Sequence, residues 1–296
     1  MVNFKEVLLV VNPISGDISK DKAQRQVEQE VKQHNAHFHL YKTTGENDAE
    51  EIKELVKERE IDRLVIAGGD GTINLVADAV KDFDVSIGLI PAGSANGLCT
   101  NLQIPQQLEQ QVQIALSDHC IELDMLCLNE KICLHLSDLG INAELIRNYE
   151  GSNIRGKFGY LLQTIPTLIK SEYPFEFRIE TDGKEFVREG VLLGIANANK
   201  YGTGANVNPE GKPNDGIFEI LVFKRLNFFD ILKTLRNESR IDPEFLETIP
   251  TTEATITCKP PISFQIDGEF IGKETKIDVS IIPQKLKVAV PVNYNP

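Results

Sequence analysis

Four times in the first ~120 residues, a short apolar run with β-branched residues gives way to a turn and then to a segment whose apolar residues recur three or four apart. The runs fall at 6–12, 37–43, 63–67 and 86–90. The periodic segments fall at 19–34, with Ala23, Val27 and Val31 spaced four apart, then at 49–59, 73–80 and 105–116. Strands that are apolar throughout must be covered on both faces. Alternation with helices therefore restricts this half to a parallel sheet between two helical layers, a three-layer α/β domain.

The texture changes near Leu123. Strands now dominate and alternate apolar with polar residues, at 125–128, 131–136, 175–181, 185–196, 217–223, 254–258, 263–266 and 276–282. Asp182-Gly183 is a favoured hairpin dipeptide between two of them. Longer helices are expected only at 156–170 and 228–236. The pattern is that of an antiparallel sandwich or barrel. At 296 residues the chain exceeds what one core usually serves, and 41% hydrophobic residues suffice for two. We therefore expect an α/β domain over 1–122 and a β-sandwich over 123–296. The final strand, 286–290, is free to pack back on the first domain.

With 31 basic against 44 acidic residues, the net charge of −13 argues against nucleic-acid binding and against broad adhesion to anionic membranes, although a local basic patch would still work. No apolar run reaches the ~20 residues of a membrane span. The start, MVNFKEVLLVVN, lacks a small-residue cleavage site and is broken by Asn12-Pro13, so it reads as a first strand. Five scattered cysteines without a C-x-x-C pair fit reduced thiols, and hence a cytoplasmic protein. His37 and His39 share one strand face but lack a third ligand, and read as ordinary strand residues.

Three glycine-containing loops follow expected parallel strands: Asn12-Pro13-Ile14-Ser15-Gly16, Gly68-Gly69-Asp70-Gly71-Thr72 and Pro91-Ala92-Gly93-Ser94-Ala95-Asn96-Gly97. Ligands bind open α/β sheets at that edge. Glycines admit a phosphate close to the backbone, and a helix start aims free N–H groups at it. One such loop has a purely steric explanation, but three on one edge point to a nucleotide or phosphate. Neither G-x-x-x-x-G-K-[ST] nor G-x-G-x-x-G after the first strand occurs, which removes the main support for a P-loop enzyme or a dinucleotide oxidoreductase.

In this order, N-P-x-S-G, G-G-D-G-T and P-x-G-S-x-N resemble the diacylglycerol kinase catalytic domain, shared with sphingosine and ceramide kinases. The resemblance continues through residues 137–143, Arg155-Gly156 to Tyr160, the run from Asn197 through Asn208-Pro209 to Asn214-Asp215-Gly216, and Gln265-Ile266-Asp267-Gly268-Glu269. It implies an ATP-dependent lipid kinase with its active site in a cleft between the two domains. Asn12, Ser15, Gly16, Thr43, Gly68, Gly69, Asp70, Gly71, Thr72 and Ser94 would line the ATP site. Asp215, with carbonyls near Lys212 and Ile217, would hold Mg2+. Asp267 and Glu269 would supply the general base. The partner would be a lipid at a membrane surface, with the enzyme peripheral to it; a homodimer is compatible with this reading.

Without the resemblance, Asp215-Gly216 and Asp267-Gly268 read as hairpin turns. Gly97 stands where the family usually has Asp, which leaves room for a weak enzyme, an unusual acceptor or a non-catalytic lipid or nucleotide sensor. G-G-D-G-T also occurs in NAD kinases, and Asn129-Glu130 matches their N-E pair. Lying between two short apolar strands, however, that pair reads as a tight turn.

Overall fold

The computed structural model describes residues 4–14, 20–93, 96–140, 143, 174–201, 205–225 and 242–295. The helices expected at 156–170 and 228–236 lie outside them. The chain divides into two compact units, one of residues 1–123 with 284–296, the other of residues 124–283.

In the first unit, β1 (Glu6–Val11), β2 (His37–Lys42), β3 (Arg63–Gly68) and β4 (Ser86–Pro91) form a parallel sheet in the order β2-β1-β3-β4. The last stretch of β16 (Glu269–Ala289) adds to β4 in parallel, with Lys287 opposite Ser86. Alternation within the strands divides the core. Val7, Leu9 and Val11 face Ala23, Val27 and Val31 of α1 (Lys20–Gln33) and Val112 and Ala115 of α5 (Leu108–Ala115). Leu8 and Val10, of opposite parity, are equally buried. The remaining long helices, α2 (Asp48–Glu58) and α3 (Asp70–Val80), pack on each other. The strand order reverses direction between β1 and β3, and that is where an open α/β sheet leaves a crevice at its carboxyl edge.

The second unit is an antiparallel sandwich. One run of strands is β14 (Leu246–Thr251), β13 (Phe218–Phe223), β10 (Leu192–Ala196), β7 (Leu136–Gly140) and the end of β15 (Glu253–Ile266). The start of β15 pairs instead with β8 (Phe175–Thr181), which pairs with β9 (Lys184–Gly190). A register shift between Thr257 and Ile262 lets β15 change partners, as strands do at a sandwich corner. β5 (Cys120–Leu128) pairs with β16 and with β6 (Lys131–Cys133). Phe177, Ile195, Phe218, Ile256 and Phe264 fill the space between the layers.

Several expectations are corrected here. The strand expected at 131–136 breaks after Cys133, because the next N–H groups bond a side chain and not a ladder. The one at 185–196 splits at Val191, where the chain leaves β8 for β7 and β13. The pairs 254–258 with 263–266, and 276–282 with 286–290, each fuse into one long strand. β14 and the short α4 (Gly97–Asn101) were not expected. Asn129-Glu130 and Asp182-Gly183 are turns, as read: all four residues have positive φ between paired strands.

Candidate active site

The described loop residues gather at the carboxyl edge of the parallel sheet. Asn12 follows β1, and its N–H donates to Ala67 O at 3.1 Å. Its side-chain Nδ2 donates to Thr72 Oγ1 at 3.0 Å, while its Oδ1 accepts from Ile14 N at 3.1 Å. The first loop is thus tied to the second across the crevice between β1 and β3. Thr43 follows β2 and donates its N–H to Val11 O at 2.9 Å. The next turn is held by Asp48, whose carboxylate accepts from Thr44 N and Gly45 N, both at 2.8 Å, and from Tyr41 OH at 2.7 Å. Burial alone would raise the Asp48 carboxyl, but these bonds outweigh it and keep it below its ordinary value.

The second and third loops touch backbone to backbone. A Cβ on Gly93 would lie 2.5 Å from Gly69 Cα, and one on Gly69 would lie 3.1 Å from Gly93 Cα. Asn96 closes the third loop, accepting from Gly93 N and donating to Gly93 O, both at 2.8 Å. Asp70 does not present its charge to an anion. Its carboxylate accepts from Gly97 N at 2.9 Å and Leu98 N at 3.2 Å, fastening the third loop to the second. Asp70, Gly71 and Thr72 form the first turn of α3, one turn earlier than periodicity indicated. That helix start has no side-chain cap hydrogen bond, and a helix start is where N–H groups lack an intrahelical acceptor. Gly71 is not among the positive-φ glycines, and its place in the loop is therefore not a matter of backbone handedness. Ser15, Gly16 and Ser94 lie outside the described residues.

In the sandwich, Asp267 and Gly268 are the two central residues of a hairpin between β15 and β16, with φ of 47° and 89° and Ile266 paired to Glu269. The bend separates the two carboxylates. Asp267 is 8% exposed, whereas Glu269 is exposed. Asp267 Oδ2 accepts from Leu134 N at 2.8 Å. Its Oδ1 accepts from His135 N at 3.0 Å, Leu136 N at 2.8 Å and Cys133 Sγ at 3.5 Å. Burial first, and then the Asp267 charge, push the Cys133 thiol well above its ordinary range, so it stays a neutral donor. With its oxygens so engaged, Asp267 holds the loop of residues 133–136 in place and has little room for another proton donor.

Asp215 is exposed, and its Oδ1 accepts from Ile217 N at 3.2 Å. Lys212 is exposed, and Ile217 is 36% exposed. The turn is anchored by a residue the sequence reading passed over. Asp124, fully buried on β5, accepts from Gly216 N at 2.7 Å, and its own N–H donates to Pro213 O at 2.8 Å. The available signal was a carboxylate set between the apolar residues Leu123 and Met125. Asn197, also fully buried, donates to Asp124 O at 2.8 Å and to Leu134 O at 3.1 Å, linking this turn to the segment that Asp267 holds. Nearby Glu219 has a carboxyl raised to about 7. Burial raises it, the 2.6 Å hydrogen bond from Asn208 opposes that, and the charge of Asp215 adds to it.

Among the described residues, no group of three or more His, Cys, Asp or Glu side chains is arranged to hold a metal ion. His37 and His39 both bond to Glu6, at 2.5 and 2.7 Å.

A parallel α/β unit with tied glycine loops at its switch point is thus followed along the chain by an antiparallel sandwich. Residues 6–128 match the diacylglycerol kinase catalytic domain, and residues 138–290 match the YegS C-terminal NAD kinase beta sandwich-like domain. The chain belongs to the family that carries the YegS C-terminal NAD kinase beta sandwich-like domain, here behind a diacylglycerol kinase catalytic domain. It is 26% identical over 298 residues to the probable lipid kinase YegS of Salmonella dublin, and 25% identical over 297 residues to a probable lipid kinase YegS-like of Enterobacter sp., in each case covering 98% of both chains. A crystal structure of a diacylglycerol kinase from Bacillus anthracis superposes with a TM-score of 0.79 at 21% identity, covering 100% of this chain and 99% of that one. A second structure from that organism reaches 0.82 at 20% identity, with the same coverage. These superpositions speak to the fold alone.

Proposed function

We propose that this protein is an ATP-dependent lipid kinase that transfers the γ-phosphoryl group to the hydroxyl of diacylglycerol or a related lipid at a membrane surface. The observation that carries the reading is the set of tied loops at the β1/β3 crevice. There, Gly69 and Gly93 leave no room for side chains, and the start of α3 offers N–H groups to a phosphate. Asn12, Thr72 and Thr43 would contact the nucleotide, and Asp70 would keep the third loop in place. Ser15, Gly16 and Ser94 are proposed contacts by family resemblance.

Phosphoryl transfer depends on positioning and charge neutralisation more than on covalent chemistry. On this reading Glu269, exposed at the hairpin, accepts the lipid hydroxyl proton, and Asp267 fixes the hairpin that presents it. The Asp215 turn offers a carboxylate and main-chain carbonyls, the hard oxygen donors that suit Mg2+ with water completing the shell. A bound Mg2+ would supply charge neutralisation to the phosphates. No described helix is long and apolar enough to cross a membrane. We propose that the protein works from the cytoplasm and attaches to the surface that holds its substrate.

The test is phosphate transfer from radiolabelled ATP to mixed vesicles carrying diacylglycerol, ceramide or sphingosine, with NAD as a competing acceptor. Label in a lipid, lost with excess EDTA and strongly reduced by Asp215→Asn, supports the reading. Label in NAD alone would replace it. Turnover untouched by EDTA would remove the metal role.

A further inference from the structure

The hairpin at Asp267-Gly268 is gripped from a second side by a pair of side chains that the mechanism above does not use. Where β15 meets β7, Gln265 lies directly opposite Asp138 and Ile266 opposite Ser137. Directly opposed residues of an antiparallel pair share a face. Gln265 is 1% exposed and Asp138 fully buried. Gln265 Nε2 donates to Asp138 Oδ2 at 2.5 Å, and Gln265 Oε1 accepts from Gly268 N at 2.7 Å. Ser137 Oγ fixes the backbone beneath, donating to Gln265 O at 2.6 Å.

The chemistry of these groups allows one arrangement. A carboxylate only accepts and a backbone N–H only donates, so the amide must turn its nitrogen to Asp138 and its oxygen to Gly268. Glutamate at 265 would set two carboxylates together, and an apolar residue would remove both of these bonds. A buried carboxylate is a poor choice for stability alone, since an apolar pair of like volume does as well or better. Together with Asp267, this bond fixes both central residues of the turn, and Glu269 is the next residue.

The geometry points to Gln265, oriented by Asp138, as a positioning residue that sets the Glu269 carboxylate for deprotonation of the acceptor hydroxyl. This rests on the lipid kinase reading, and the experiment separates the two. Gln265→Met keeps the length of the side chain and removes both bonds. Thr181→Val is the control. It removes buried hydrogen bonds to Thr251 and Glu253 at the opposite end of β15. Hydrogen exchange at Gly268 N–H is read first, independently of activity. Gln265→Met speeds it at least about tenfold, while Thr181→Val and Asp138→Asn leave it near wild type, the latter because Asn keeps an oxygen for the Gln265 amide. Unchanged exchange in Gln265→Met overturns the clamp whether or not the protein proves to be a kinase. In the kinase assay, Gln265→Met lowers kcat roughly 10–100-fold with KM for ATP within about twofold, and Asp138→Asn retains kcat within about threefold. Faster exchange with wild-type kcat overturns the positioning role. A loss of kcat in Asp138→Asn with exchange preserved also overturns it, since charge and not position would then be what matters. Wild-type protein that labels no lipid removes the function and leaves the clamp to be decided by exchange. Should Gln265→Met not fold, Gln265→Asn, too short to reach both partners, takes its place.

Discussion

Replacing Asp267 with asparagine separates holding the hairpin from taking a proton. The carboxylate accepts from Leu134 N, His135 N, Leu136 N and Cys133 Sγ, and it is 8% exposed. Asparagine keeps one oxygen and turns an NH2 group toward at least one of these donors. Hydrogen bonds to a charged group contribute about 1.5–3 kcal/mol, and a buried donor left unmet costs about 1–3 kcal/mol. A net loss of about 2–4 kcal/mol follows for Asp267→Asn. For a unit of this size, each kcal/mol lowers Tm by about 2–4 °C, so a fall of roughly 4–16 °C is expected. Glu269→Gln alters an exposed side chain and should change stability by no more than about 0.5 kcal/mol. On the proposed mechanism both variants lose activity, Glu269→Gln by at least ~100-fold as the base and Asp267→Asn by a similar factor through displacement of that base. ATP affinity stays near wild type in both. Scanning calorimetry, nucleotide titration and lipid phosphorylation on the same preparations measure all three quantities. An Asp267→Asn variant that melts with wild type would refute the argument from its four donors. Wild-type turnover in Glu269→Gln would end the assignment of the base.

Further outcomes follow from the same contacts. Gly93→Ala, whose Cβ meets Gly69 Cα at 2.5 Å, should weaken ADP binding at least about tenfold; Gly69→Ala, at 3.1 Å, should do less, and titration calorimetry giving the reverse order would contradict the packing of the loops. Asp70→Ala should also weaken ADP binding about tenfold or more, by releasing Gly97 N and Leu98 N, and should speed hydrogen exchange at those two amides; lost binding with unchanged exchange would assign Asp70 to the ligand directly. Glu219, raised from 4.5 to about 7 when folded, binds more protons in the native than in the unfolded state between those values, so its contribution to stability falls as pH rises through them. Glu219→Gln should therefore stabilise the protein more at pH 8 than at pH 5, by on the order of 1–3 kcal/mol after allowance for screening by water; equal effects at both pH values would refute the shift.

Much of this protein is determined by sequence alone, because local rules govern the features concerned. Apolar runs of β-branched residues alternating with Ala23, Val27 and Val31 at helical spacing specify buried parallel strands between helices. Asn129-Glu130 and Asp182-Gly183 specify tight turns by backbone preference. The ordered set of glycine loops is enough to give the family. Tertiary structure decided what each carboxylate in those motifs does. Asp70 and Asp267 look alike in sequence, each next to a glycine in a loop where chemistry is expected. Each spends its charge on backbone N–H groups 27 residues or more away along the chain. Asp124 and the Gln265–Asp138 pair carry no local signal beyond polarity within an apolar strand, since their partners are brought to them only by strand pairing. Periodicity fixes which face of an element is buried. It says nothing about which distant donor meets a buried acceptor, because that depends on the register between strands far apart in the chain.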